Sequence, residues 1–337
     1  MSVTRFTRPP FRIVLCVLLA MATGGAAAAG YSQLEIPATG KEAAIAALVW
    51  TPCVRASEPQ TIGPLSFEGT ADCPVAGDGL PLIVVSHGYG GSFLGHHDTA
   101  TALADAGFVV VSFNHPGDNA RDRSNAHRVR IFETRPLDVS RIITFMTRDW
   151  SERGRLDARA VGVFGFSRGA YAALAVAGAV PSTPASAKRF CQRGSAATAP
   201  VPCGELADAG ARLQPVADTR VRAVVAADPL NLFDGDGLHA MRVPVQLWAS
   251  ELGGDGVERA HVEELRAGLP PAVDYRRVDG AGHFAFLAPC PTAIAQSAPE
   301  ICRDPEGFSR QAWHREFNSG VVSFFRRTLL PGSRPSP

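Results

Sequence analysis

From Val161 to Val176 the chain runs through five mostly apolar residues, then Gly165-Phe-Ser-Arg-Gly169, then an alanine-rich stretch. That order predicts a buried strand, one very tight turn and a helix start. A serine at such a turn sits in strained backbone with its hydroxyl pushed out above the sheet. A Cβ at position 165 or 169 would collide with the neighbouring strand or helix, so both positions call for glycine. The helix N-terminus just behind supplies free N–H groups and positive potential. Ser167 is the candidate nucleophile. The bare pattern recurs by chance, and it is the flanking strand and helix that separate this serine from an incidental one.

The same strand–helix rhythm runs along the chain. Apolar runs at 43–52, 80–86, 108–113, 221–227, 244–249 and 273–278 predict strands, and the continuous ones predict strands buried on both faces. Helical spacing is expected at 98–105, 137–150, 257–267 and 308–329. The long stretch 53–79, with Pro59, Pro64 and Pro74, reads as surface loop, and so does 121–130. Residues 181–220 are rich in Pro, Ala and Ser and read as an insertion or small lid; the tail 332–337 reads as disordered. Strands alternating with helices imply an α/β fold, a mainly parallel sheet with helices on both faces, in one domain over 30–331. Ligands then gather at the carboxyl ends of the strands.

Residues 1–29 have the pattern of a secretory signal: Arg5, Arg8 and Arg12, an apolar run from Ile13 to Ala22 too short to span a bilayer, then Ala26 to Ala29. Removing the first 28 residues leaves 30 basic against 32 acidic residues, a net charge of −2. That balance gives no footing for nucleic acid or an anionic membrane as partner. Six cysteines follow Cys16, in neighbouring pairs 20, 12 and 12 residues apart, all in polar, Pro/Gly-rich stretches. Three local disulfides, Cys53–Cys73, Cys191–Cys203 and Cys290–Cys302, are expected in an oxidising compartment, so the chain reads as secreted or periplasmic. Zinc is the alternative, but no Cys-x-x-Cys or nearby His completes a ligand set.

Ester hydrolysis needs a nucleophile, a base, a group to orient the base and donors for the oxyanion. His283 follows the last expected strand in a Gly-rich loop, and the order Ser…Asp…His suits it as base. Three residues compete for the acid. Asp228 ends an apolar strand where a charge needs a partner; Asp255 lies after the next strand, set out by Gly253-Gly254; Glu251 sits nearer that strand's end. The oxyanion donors are expected to be the backbone N–H groups of Arg168 and of Tyr89, after His87-Gly88. The Arg168 side chain suits an anionic substrate or a structural salt bridge. His87 reads as a buried histidine shaping that loop, and the Tyr89 ring as a wall of the acyl pocket or as surface packing. His96, His97 and His115 with Asp118 could be drawn as a metal cluster, but loop-bracing histidines fit better. No cofactor or metal is called for.

His87-Gly-Tyr-Gly-Gly-Ser92, His115-Pro-Gly-Asp-Asn119, Gly165-Phe-Ser-Arg-Gly169, Pro244-Val-Gln-Leu-Trp248 and Gly282-His-Phe-Ala-Phe-Leu-Ala-Pro-Cys290 together resemble the predicted dienelactone hydrolases. These are α/β-hydrolases related to platelet-activating factor acetylhydrolases and, more distantly, to cutinase-like polyester hydrolases. The resemblance covers about residues 40–330. It implies a Ser–Asp–His esterase without metal or cofactor, although true dienelactone hydrolases use a cysteine where this chain has Ser167. Ala226-Ala-Asp228-Pro-Leu resembles the acetylhydrolases, whose acid follows the corresponding strand, whereas the cutinase-like enzymes carry theirs one strand later, as Asp255 would be. The expected activity is an exported serine esterase acting on a small-molecule, lipid or polyester ester. The rivals are an acyltransferase or peptidase using the same triad, and a non-catalytic binding protein on a hydrolase fold.

Overall fold

A computed structural model describes Met1 and residues 28–181, 191, 203–207 and 213–330. Nearly all of the expected signal, most of the 181–220 insertion and the 332–337 tail lie outside the described residues.

Ten strands form one sheet: β1 (Ala28–Ile36), β2 (Ile45–Cys53), β3 (Glu58–Ile62), β4 (Leu65–Ala71), β5 (Leu80–Ser86), β6 (Val109–Phe113), β7 (Leu156–Phe166), β8 (Val221–Ala227), β9 (Val245–Ser250) and β10 (Asp274–Val278). Their order is β10-β9-β8-β7-β5-β6-β2-β1-β4-β3. From β10 across to β6 every neighbour is parallel; β2 pairs antiparallel with both β6 and β1. Strand β7, which leads into Ser167, lies near the middle, between β5 and β8.

Side chains along the central strands alternate between two cores. Leu82, Val84, Val161, Val163, Val224 and Ala226 enter one; Ile83, Val85, Phe164, Phe166, Val225 and Ala227 enter the other. The first core is closed by α2 (Ile131–Arg148) and α3 (Arg168–Val176), which follow β6 and β7. The second is closed by α1 (His97–Asp105) and by the long C-terminal helix Arg310–Leu329, whose Phe317, Val321 and Phe325 are fully buried. This two-sided burial explains why the central strands read as unbroken apolar runs. The expected architecture, an α/β-hydrolase sheet with helices on both faces, is the one observed. The three expected disulfides, Cys53–Cys73, Cys191–Cys203 and Cys290–Cys302, are also present.

Three elements differ from expectation. Strand β1 opens at Ala28, inside the alanine run that ends the expected signal, and adds an antiparallel edge beyond β2. The stretch expected as loop between Cys53 and Cys73 contains the hairpin β3–β4. Its inward residues Leu65 and Phe67 alternate with exposed Ser66 and Glu68, a period that flanking Pro and Gly obscure. Helix α2 begins at Ile131, earlier than its apolar spacing suggests, and takes in Pro136. Proline removes the N–H that would bond the carbonyl four residues back, that of Phe132. The Tyr171 hydroxyl of α3 donates to that carbonyl at 3.1 Å and replaces the lost bond.

The Cys53–Cys73 link ties the end of β2 to the end of β4 across 20 residues. Replacing both cysteines by serine should lower stability by about 3 kcal/mol, because the unfolded chain regains the entropy of that closed loop. Urea denaturation of the double variant checks this; an unshifted midpoint would mean that strand pairing alone fixes the hairpin.

Candidate active site

Ser167 stands between the last residue of β7 and the first of α3, with φ 55° and ψ −117°. That left-handed backbone is unusual for a side-chain-bearing residue and marks a strained turn. Four backbone hydrogen bonds hold it there. Its N–H donates to the Ala227 carbonyl at 2.9 Å, and its carbonyl accepts from Ala170, Tyr171 and Leu230. The two glycines are required by contact. A Cβ on Gly165 would lie 2.3 Å from the Gly169 oxygen, and one on Gly169 would lie 2.0 Å from the Ser86 oxygen.

Asp228, the residue after β8, is fully buried and also has positive φ, 45°. Its carboxylate accepts three hydrogen bonds: from Ser250 N at 2.9 Å, from Ser250 Oγ at 2.6 Å, and from His283 Nδ1 at 2.7 Å. His283 opens a short 3₁₀ turn, His283–Phe286, and its ring lies against the Phe166 ring with centroids 4.6 Å apart. Its Nε2 is buried and, among the described residues, has no hydrogen-bond partner. The turn is pinned from behind: His283 N donates to the Gly253 carbonyl at 2.7 Å, His314 Nε2 to that of Ala285 at 2.7 Å, and His96 Nδ1 to that of Phe286 at 3.1 Å.

Of the three candidate acids, the one bonded to the imidazole is Asp228. Glu251 accepts from Gly280 N at 2.8 Å and so braces the loop that leads to His283. Asp255 is partly buried beside the site and makes no bond to the ring. Burial pushes its carboxyl up, against the pull of His283 and Arg168.

The loop after β5 passes directly over the serine. A Cβ on Gly88 would lie 3.1 Å from the Phe166 ring and 3.3 Å from Ser167 Cβ. Three buried charges hold this loop. Arg135 of α2 donates to the carbonyls of His87 at 2.7 Å and Gly88 at 2.9 Å, and through Nε to Asp118 Oδ2 at 2.9 Å. Asp118 Oδ1 accepts from Gly90 N at 3.0 Å, and its Oδ2 also accepts from Arg168 Nη1 at 2.9 Å. Burial alone would raise the Asp118 carboxyl, but the two guanidinium groups more than offset it and hold it below the usual range. The Arg168 side chain is thus in a structural ion pair, with its guanidinium 4.7 Å over the Tyr89 ring. The Tyr89 hydroxyl shares a hydrogen bond with His127 at 3.1 Å.

The bracing histidines sort out individually. His87 Nδ1 donates to the Gly88 carbonyl and its Nε2 accepts from His115 N, which shapes the loop; burial, then Arg135, pulls its pKa down to about 3. His97 Nδ1 donates to the Leu94 carbonyl. His115 bonds Ser86 and Asp138. Among the described residues no cluster of three or more His, Cys, Asp or Glu is arranged to hold a metal ion. Sequence reasoning passed over Arg135: a lone arginine within a polar stretch carries no local sign that it will be buried.

No protein-family model matches the sequence, and no curated protein matches it. Among solved structures the chain is similar to a ferulic acid esterase from Streptomyces cinnamoneus, with a TM-score of 0.65 and 17% identity over 92% of each chain. At that identity the likeness speaks for the fold.

Removing one partner from a buried ion group leaves the other charge uncompensated. Arg135→Ala should therefore cost about 3–5 kcal/mol in urea denaturation, far more than loss of an exposed pair such as Arg277 with Asp279. The buried histidines set a pH dependence. His87 falls to about 3 and His96 to about 4, both from 6.5. Their folded values lie below the unfolded ones, so the stability present above about pH 6.5 is lost as pH falls toward those values. Asp138, raised from 3.8 to about 7, acts with the opposite sign and only partly offsets them. The urea midpoint should fall between about pH 7 and about pH 4.5; a midpoint that rises on acidification would contradict a neutral, buried His87.

Proposed function

We propose that the chain is a serine hydrolase of carboxylic esters, with Ser167 as nucleophile, His283 as general base and Asp228 as the acid that orients it. The observation that carries this reading is the His283 ring. One nitrogen is held by a buried carboxylate at 2.7 Å, and the other is buried without a partner among the described residues. An imidazole arranged in that way is oriented and ready to take a proton. The serine's own N–H is bonded to Ala227, the residue before the acid, so nucleophile and acid share one anchoring point at the ends of β7 and β8.

In the proposed reaction Ser167 Oγ attacks the ester carbonyl as His283 Nε2 removes its proton. Asp228 stabilises the resulting imidazolium through Nδ1. The N–H groups of Arg168 and Tyr89 stabilise the negative oxygen of the tetrahedral intermediate. His283 then protonates the departing alcohol, leaving an acyl-serine. Water attacks that acyl group with His283 again as base, and the carboxylic acid is released. An acid placed after β8 is also what the resemblance to the acetylhydrolases implies. The disulfides, with the signal-like pattern of residues 1–29, support action outside the cytoplasm. The name of the structural neighbour adds esters of ferulic acid to the lipid, polyester and short acyl esters worth testing.

The test is covalent labelling followed by kinetics. A fluorophosphonate probe should modify Ser167 in the folded wild type and fail in Ser167→Ala. With a short-chain p-nitrophenyl ester, Asp228→Asn should lose about 10⁴-fold in kcat, because the wrong imidazole tautomer is then held. Asp255→Asn should stay within about tenfold, since Asp255 makes no bond to the ring. Folded protein that takes no label would favour the non-catalytic binding protein. Equal losses in the two Asn variants would remove Asp228 from its assigned role.

A further inference from the structure

A second row of serine, histidine and carboxylate lies under the oxyanion loop. Ser86, the last residue of β5, has its Oγ 2.8 Å from His115 Nε2, and His115 Nδ1 is 2.8 Å from Asp138 Oδ2 on α2. Ser86 and His115 are wholly buried, and the Asp138 side chain is 13% exposed. Ser86 is no second nucleophile, because it admits no solvent and its carbonyl is pressed by Gly169. The row ends where the loop begins. Ser86 precedes His87, and His115 donates its backbone N–H to His87 Nε2 at 3.3 Å while its ring meets the His87 ring edge-on.

We propose that this row is a proton-responsive brace, in which His115 is a positioning residue for the oxyanion loop and the direction of its bond to Ser86 follows the protonation of Asp138. The kinetic consequence rests on the ester-hydrolase reading; the hydrogen-bond reversal does not.

The proton count gives two states. With Asp138 protonated, its O–H donates to His115 Nδ1, so the neutral ring carries its proton on Nε2 and donates to Ser86 Oγ. When that carboxyl loses its proton to solvent, the ring's single proton shifts from Nε2 to Nδ1, which donates to the carboxylate. Nε2 then becomes the acceptor, and the Ser86 hydroxyl turns round to donate to it. The ring stays neutral in both states, because burial, reinforced by Arg135 and His87, holds it well below the usual histidine range. Burial pushes the Asp138 carboxyl up to about 7, against Arg135 and Arg141 of its own helix and with Glu42 from the β1–β2 turn. Asp138 reaches solvent through a cleft of about 290 Å³, whose walls carry Lys41, Glu42, Arg130, Thr134 and Arg141. The switch therefore operates near neutral pH, one residue away from the loop whose N–H groups face the reacting oxygen.

Asp138→Asn removes the titrating group, so the row keeps one direction at any pH; with the amide N–H₂ turned to Nδ1 that direction is the one of the protonated carboxyl. In the wild type, ¹⁵N-edited NMR of the His115 ring should show the proton on Nε2 at about pH 5.5 and on Nδ1 at about pH 8.5. In Asp138→Asn it should stay on Nε2 throughout, and the kcat–pH profile should lose one inflection near neutrality while KM stays within about twofold. Ser86→Ala, which keeps the titrating pair, should lower kcat about tenfold with KM again within about twofold. A wild-type His115 ring whose proton does not move overturns the proposal, and so does an unchanged kcat in Ser86→Ala. If no ester is turned over at all, the NMR result still decides whether the row reverses, so loss of the esterase reading is told apart from loss of this one.

Discussion

The closest constraint in the molecule is backbone against backbone. The first turn of α3 presses onto the end of β5 so tightly that a Cβ at Gly169 would sit 2.0 Å from the Ser86 oxygen. Because a helix and a strand cannot approach this closely with side chains between them, the position of Ser167 is fixed relative to the loop after β5 before any polar contact forms. The strained φ of the serine is a consequence, since the chain must turn from β7 into α3 within one residue. The strain is borne by hydrogen bonds to Ala227 and Leu230 on one side and by the first turn of α3 on the other. Ser167, Asp228 and the loop after β5 are then registered to the ends of β7, β8 and β5.

Onto that frame the sequence places charges where water cannot reach. Arg135, Asp118 and Arg168 form one group that is almost entirely buried, each ion compensated by another and by backbone carbonyls or N–H groups. Such a group is weak evidence for net stability, because desolvation consumes most of the Coulombic gain. Its value lies in direction. The Arg135 guanidinium takes the carbonyls of His87 and Gly88, and Asp118 takes the N–H of Gly90, so these two carbonyls face inward toward α2.

Much of the frame was legible in sequence, and for definite reasons. Strands such as Leu80–Ser86 are buried on both faces and so read as unbroken apolar runs, and Gly165 and Gly169 flag a close approach that only glycine permits. The cysteines pair with their sequence neighbours, 20, 12 and 12 residues apart. What stayed hidden depends on partners distant in sequence. Phe132 and Tyr171, which let Pro136 sit inside α2, are 39 residues apart; Arg135 and Asp118 meet only after β6 and α2 have packed. The hairpin strands β3 and β4 were obscured because β3 buries no residue, β4 buries one face only, and their signal is mixed with turn residues.

The carboxylate bonded to His283 shows why spacing alone left three candidates open. Asp228 and Asp255 both follow parallel strands, and both have left-handed backbone, φ 45° and 47°. What separates them is how the neighbouring loop approaches the histidine. Gly253 accepts the His283 N–H through its carbonyl, and Gly254 lies so near that a Cβ there would be 3.2 Å from His283 Cβ. The loop after β9 thus meets the histidine with main chain, and Asp255 is carried past the ring. Asp228 reaches Nδ1 from the next strand inward, and Ser250, the last residue of β9, occupies the rest of its carboxylate with both N–H and Oγ. The glycines that set Asp255 out from the strand end allow the histidine's backbone to be held, while Asp228 on the adjacent strand meets its ring.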